Sequence, residues 1–234
     1  MNAPASPACA VLQNASMIDF PGHLAAVFFV SGCNFRCGFC HNFTAMSVRK
    51  PGFSWERLDA LCARFKRDWS DGAVVTGGEP TLDPHLREFL VFLRERGFAI
   101  KLDTNGSRPE VLEPLLDLVD YVAMDIKGSP DQYPELTGFA DVARIRDSVQ
   151  LLKTRVPKHE FRTTVLEPVH TEDAMHDIGR LIDGAALYVL QPMVPREDLP
   201  DSRWRSAPRT HPDRLRELAD LMKPFASQVT VRDR

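Results

Sequence analysis

Short apolar runs alternate with longer amphipathic stretches along most of this chain. Runs rich in Val, Ile, Phe, Tyr and Ala predict strands at about 24–31, 72–76, 98–103, 120–125, 160–166 and 186–191. Between them, apolar residues recur at helical spacing and predict helices near 54–68, 84–96, 109–118, 141–154 and 171–183, with a last one near 211–225. The second helix is the clearest: Leu86, Phe89, Leu90 and Leu93 share one face, and Gly97 supplies the stop. Ser54 and Asp83 stand where the first two helices need a side chain to accept the free N–H groups of the opening turn.

Repeated strand–helix units imply a parallel sheet with helical crossovers. The fold class is therefore α/β, an open doubly wound sheet or a whole or partial barrel. Six units fall short of the eight that close a full barrel. Residues 1–16 read as a loose lead-in to a single domain over 17–234, and the Pro- and Arg-rich 192–210 as a surface loop.

Composition narrows the function classes. A chain of 234 residues with 44% hydrophobic positions can bury a substantial core. A net charge of -3 gives no basic footprint, so no nucleic-acid partner is expected. The apolar runs are too short to span a bilayer, and the N-terminus lacks a signal-peptide pattern, so no membrane association is expected. Five cysteines, three of them crowded together, argue for free thiols and a reducing, cytoplasmic setting.

The chemistry gathers where strands end. Cys33, Cys37 and Cys40 follow the first predicted strand and Thr76-Gly77-Gly78-Glu79-Pro80 the second. Asp103-Thr104-Asn105-Gly106 follows the third, and Asp125-Ile126-Lys127-Gly128 the fourth. The carboxyl ends of parallel strands are where such folds build their sites. Three thiolates spaced x3 then x2 suit a cubane iron–sulfur cluster and leave one coordination position open. A structural zinc closed by His41 or Cys62 is the alternative, but His41 directly follows Cys40, and no second CxxC or HxxxH pair exists. Cys62 reads as a small buried hydrophobe, and Cys9 lies in the lead-in.

The glycine pair is an ordinary turn, or a place where backbone approaches a ligand and Glu79 accepts hydrogen bonds from an ammonium group. Asp103 is a turn-capping residue, or holds a ribose hydroxyl or a monovalent cation. Asp125 and Lys127 are a solvated ion pair. Alternatively, at positions i and i+2 of one strand face, they meet a cation and a ligand carboxylate.

The CxxxCxxC loop and the Gly77-Gly78-Glu79 turn resemble those of the radical S-adenosylmethionine superfamily. More narrowly, Ser16-Met17-Ile18-Asp19-Phe20-Pro21-Gly22, leading into Gly32-Cys33-Asn34-Phe35-Arg36-Cys37 and ending Cys40-His41-Asn42, is similar to the glycyl-radical-enzyme activases. Within these it is closest to the activating proteins of anaerobic ribonucleoside-triphosphate reductase. The resemblance implies a partial (β/α)6 barrel and a [4Fe–4S] cluster held by Cys33, Cys37 and Cys40, its fourth iron chelated by S-adenosylmethionine. It further implies that Gly77, Gly78 and Glu79 receive the methionine amino group and that Phe39 packs near the adenine, with a core phenylalanine as the alternative role. Asp103 and Asp125 match a monovalent-cation site of some activases, Lys127 matches a cofactor contact, and Arg162 a further one that reads equally as an ion pair. The implied partners are a glycyl radical enzyme and a flavodoxin or ferredoxin as electron donor. A small-molecule radical enzyme and a pyruvate formate-lyase-type activase share every cofactor residue and stand as alternatives. A non-catalytic iron–sulfur electron carrier is the remoter one.

Overall fold

The computed structural model describes residues 5–43, 48–156 and 158–232. Eight strands are present among them: β1 Ala8–Val11, β2 Ala25–Val30, β3 Gly72–Gly77, β4 Ala99–Thr104, β5 Tyr121–Asp125, β6 His159–Val165, β7 Ala185–Pro192 and β8 Ala226–Val231. The longer helices are α1 Trp55–Arg67, α2 Leu86–Glu95, α3 Val142–Arg155, α4 Glu172–Ile182 and α5 Pro212–Met222. All six expected strands and five of the six expected helices therefore form. The third, near 109–118, breaks up: Pro109–Leu112 makes one helical turn and Glu113–Leu118 continues as 3-10 helix. Pro114 is the cause, since it lacks an N–H and its ring crowds the carbonyl one turn back.

Two end strands escaped the hydrophobic pattern. β1 lies inside the segment expected to be a loose lead-in, and runs antiparallel to β2 with Ala8 opposite Val30. Its four residues, Ala-Cys-Ala-Val, are too few and too small to show a period.

The helix ends follow local chemistry. Ser54 Oγ accepts from the Arg57 N–H at 3.2 Å, as expected of an N-cap. Asp83 does not cap α2; its Oδ1 accepts from the His85 N–H at 2.9 Å and steadies the turn before the helix. Gly97, at φ +73, closes α2: its N–H reaches Arg94 O at 2.9 Å and the Phe98 N–H reaches Leu93 O at 3.3 Å. That is the Schellman arrangement, which needs a left-handed residue at this point.

The chain forms two compact units. In the first, β1, β2, β3 and β4 lie side by side in chain order, the last three parallel, with Val30 opposite Gly77. Phe28 of β2 meets Phe65 of α1 and Phe89 of α2 edge-on, at ring separations of 6.3 and 5.6 Å. Each such buried ring stabilises the unit by roughly 2–3 kcal/mol.

In the second unit β6, β7 and β8 are parallel and in chain order. α4 packs on α5, and a Cβ on Gly179 would come within 2.4 Å of the Phe225 ring. Arg232, just past β8, grips the fully buried Glu160 through both carboxylate oxygens, with Nη1 2.7 Å from Oε1.

Among the described residues the chain passes from one unit to the other within the cysteine loop, between Asn34 and Phe35, on either side of Asn105–Pro109, and within β5, between Val122 and Ala123. The segment after β7 is more embedded than a surface loop, for Leu199, Trp204 and Thr210 are buried within it. Thr210 Oγ1 accepts from the Met193 N–H at 2.9 Å and donates to Val165 O at 2.6 Å. No helix among the described residues is long and apolar enough to cross a membrane.

Candidate functional site

In the first unit the glycine turn is built against the residue preceding Cys33. Gly77 ends β3 at φ +119. The Gly78 N–H then donates to Val30 O and the Glu79 N–H to Gly32 O, both at 2.8 Å. A Cβ on Gly78 would lie 2.1 Å from the Gly32 carbonyl oxygen, so only glycine fits. Glu79 is fully buried, and its Oε1 accepts from the Thr81 N–H at 3.1 Å, the Thr81 hydroxyl at 2.5 Å and the Thr104 hydroxyl at 2.8 Å. These bonds fix the carboxylate within its own turn. Asp103 shares the face of β4 with Lys101 and forms an ion pair with it.

In the second unit the remainder of the cysteine loop is held at four points. Arg36 N–H donates to Thr137 O at 2.7 Å, Cys40 N–H to Cys37 O at 3.2 Å, and Asp201 N–H to Gly38 O at 3.1 Å. His41 Nε2 lies 2.9 Å from Val194 O. Phe39 is buried, as is Cys37, while Cys33 and Cys40 are partly exposed. None of the five cysteines is in a disulfide. Burial within α1 pushes the Cys62 thiol up to about 11, so it is a neutral core group and a poor metal ligand.

Asp125, at the end of β5, receives a cation on each oxygen: Lys127 Nζ at 3.0 Å and Arg162 Nε at 2.9 Å. Burial opposes its ionisation, but Arg162 and Lys127 overcome that and hold the carboxyl well below the usual range. Burial likewise opposes the Lys127 ammonium; Asp125, then Cys37 and Cys40, more than restore it and raise its pKa. The pair read from the sequence is thus a three-residue network, partly shielded from water and facing two of the thiols.

Lys127 is also gripped by its backbone. Its N–H donates to Tyr133 Oη at 3.2 Å, and His170 Nε2 lies 3.3 Å from its carbonyl. The Leu166 N–H donates to His170 Nδ1 at 2.8 Å, so the ring proton sits on Nε2 and the imidazole is neutral. Burial lowers the His170 pKa to about 4 and raises that of the Tyr133 phenol.

Lys101, Thr81, Tyr133 and His170 were not singled out from the sequence, and Thr104 stood only within the Asp103-Thr104-Asn105-Gly106 run. Lys101 carried a signal, its place two residues before Asp103 on one strand. Tyr133 and His170 lie on a short helix and a loop, where no periodicity marks them. Asn105 Oδ1 accepts from the Ser107 N–H at 2.9 Å, which makes it the turn-capping residue its type suggests.

The donor set fits an iron–sulfur cluster: three thiols within eight residues, none in a disulfide, with the Lys127 ammonium near two of them. Comparison with known proteins agrees. The description "Radical SAM superfamily" matches residues 27–182. A Methanocaldococcus jannaschii protein whose assigned role is that of a glycyl-radical enzyme activating enzyme is 34% identical over 229 residues, covering 93% of this chain and 92% of its own. The 7-carboxy-7-deazaguanine synthase of Methanopyrus kandleri is 29% identical, covering 87% and 86%. The solved structure of TYW1 with a lysine-pyruvate adduct bound has a TM-score of 0.62 at 15% identity, covering 87% of this chain and 74% of that one, and shows the shared fold.

The fold is accordingly the α/β partial barrel with a parallel sheet. The chain belongs to the radical SAM superfamily of enzymes. Membership implies a [4Fe–4S] cluster and S-adenosylmethionine.

Proposed function

We propose that this enzyme is an activase that uses S-adenosylmethionine to install a glycyl radical on a partner, anaerobic ribonucleoside-triphosphate reductase. The observation that carries the activase reading is the near full-length likeness to the M. jannaschii activating enzyme. The choice of reductase rests on the motifs at residues 16–22 and 32–42. In this reading Cys33, Cys37 and Cys40 hold the cluster. When bound, it supplies one electron to S-adenosylmethionine, whose cleavage yields the radical that removes a hydrogen from a glycine of the partner.

The chain's own residues bind and orient. Gly77 and Gly78 bring backbone close to the methionine end, and Glu79, held by two threonines, gives that turn its shape and accepts from the amino group. Lys127 directs an ammonium at the cofactor carboxylate, aligned by Asp125 and Arg162, while Phe39 packs toward the adenine. No proton-transfer dyad is required. Orientation matters most, since a displacement of ~1 Å in such a site costs on the order of 100-fold. A flavodoxin or ferredoxin is the electron donor and the cytoplasm the setting, in keeping with five cysteines of which none is in a disulfide.

A small-molecule radical enzyme is the second reading, favoured by the likeness to 7-carboxy-7-deazaguanine synthase. The test is anaerobic: load iron and sulfide, add dithionite and S-adenosylmethionine, and quantify 5′-deoxyadenosine. Product is expected from the wild type and not from Cys37→Ala. Addition of the purified reductase should then give a glycyl-radical doublet in the electron paramagnetic resonance spectrum. Cleavage with no radical on the reductase would sink that partner; none at all from a loaded cluster would sink the radical reading.

A further inference from the structure

The resemblance brought with it a monovalent metal ion held by Asp103 and Asp125, and the residues around these carboxylates do not fit one. We infer that this chain supplies the positive charge from its own side chains, so that S-adenosylmethionine binding needs no sodium or potassium ion. The inference rests on the radical SAM reading of the site.

Each aspartate argues it separately. On β4, Lys101 and Asp103 are two residues apart and on one face, and the lysine side chain is only 1% exposed against 15% for its partner. A lysine is almost never buried to that degree unless a counter-charge holds it. A metal ion on Asp103 would either sit beside a like charge or displace the ammonium and leave it buried and unpaired, and both arrangements are costly.

At the end of β5, Asp125 gives Oδ2 to Lys127 and Oδ1 to Arg162. The guanidinium cannot lose its charge in a protein. At Asp125 a metal ion would meet no carboxylate oxygen that lacks a cation. Lys101 and Arg162 are therefore assigned the charge-compensating role, and Lys101 is a positioning residue for Asp103.

The test compares salts. Reconstituted enzyme is exchanged into tetramethylammonium chloride, and S-adenosylmethionine affinity and 5′-deoxyadenosine formation are measured before and after adding KCl or NaCl. The wild type should show no change. Lys101→Met removes the ammonium paired with Asp103 Oδ1 and should weaken binding about tenfold in tetramethylammonium, as loss of a charged contact does, with recovery on adding potassium or sodium. Lys101→Arg should behave as wild type. Tenfold stimulation of the wild type by either metal, or a Lys101→Met variant indifferent to both, would overturn the inference. Sodium-23 line broadening on the protein without S-adenosylmethionine gives an independent readout: absent for wild type, present for Lys101→Met. Broadening by the wild type would also refute the inference. Failure of cleavage in every salt would count against the radical reading, while the sodium-23 measurement still decides this one. Should Lys101→Met not fold, the wild-type arms alone remain decisive.

Discussion

Trp69 stands in a conformation that glycine normally occupies. It follows the C-cap of α1 at φ +64, and the Ser70 N–H completes the turn to Phe65 O at 2.9 Å. A left-handed non-glycine residue costs roughly 1–2 kcal/mol, and at 86% exposure this indole recovers little by burial. Trp69→Gly should therefore stabilise the protein by about 0.5–1 kcal/mol in urea unfolding, allowing for the looser unfolded chain. A loss would mean that the tryptophan makes contacts worth more than its strain. Gly78 presents the opposite case. Gly78→Ala drives a methyl into the Gly32 carbonyl and should abolish measurable S-adenosylmethionine binding, with a stability loss of about 1–3 kcal/mol. Retained affinity in equilibrium dialysis would remove this turn from the cofactor site.

Among elements, the segment from β5 to β6 carries the sharpest expectations. Tyr133 and His170 hold the two backbone groups of Lys127, so Tyr133→Phe leaves a buried N–H without its acceptor at a cost of about 1–3 kcal/mol. His170 adds a pH dependence. Its pKa is about 4 in the fold and about 6.5 in the unfolded chain, so the unfolded chain takes up the proton first. The stability contributed by the neutral ring is complete above about pH 6.5 and lost as pH falls toward 4, about 3 kcal/mol in all. Urea midpoints measured across that window should fall steeply for the wild type and much less for His170→Gln; equal slopes would contradict the assignment. Elements of this kind were unevenly legible. Strands and helices with long apolar runs could be read from periodicity, because burial on one face leaves a repeating mark. β1 could not, being only four residues long, nor could β8, whose six residues are buried at Ala226 alone. The glycine turn was legible because close backbone approach demands a particular residue type. The supports of Lys127 were not, since a tyrosine and a histidine arriving from separate segments leave no pattern in sequence.

At the level of the whole molecule, the absence of any disulfide predicts that reductant leaves stability unchanged under anaerobic conditions. A shift of the unfolding midpoint with dithiothreitol would contradict this. Alkylation of the metal-free protein should mark Cys33 and Cys40 first and spare Cys62, whose thiol is buried and hard to ionise. Rapid modification of Cys62, detected by peptide mass, would show that α1 opens readily. The grip of Arg232 on Glu160 has a further consequence, for the order in which the protein is made. The two residues are 72 positions apart, so a nascent chain builds β6 long before the guanidinium that neutralises its inward carboxylate exists. Until then the carboxylate lacks the two-point grip of Arg232, with Arg162 3.9 Å away, and burying it is unfavourable. The second unit should consequently stay open on the ribosome while β1 to β4 have already closed. Chains arrested just short of residue 232 would be cut by protease throughout 123–231 and resist cleavage in the first unit.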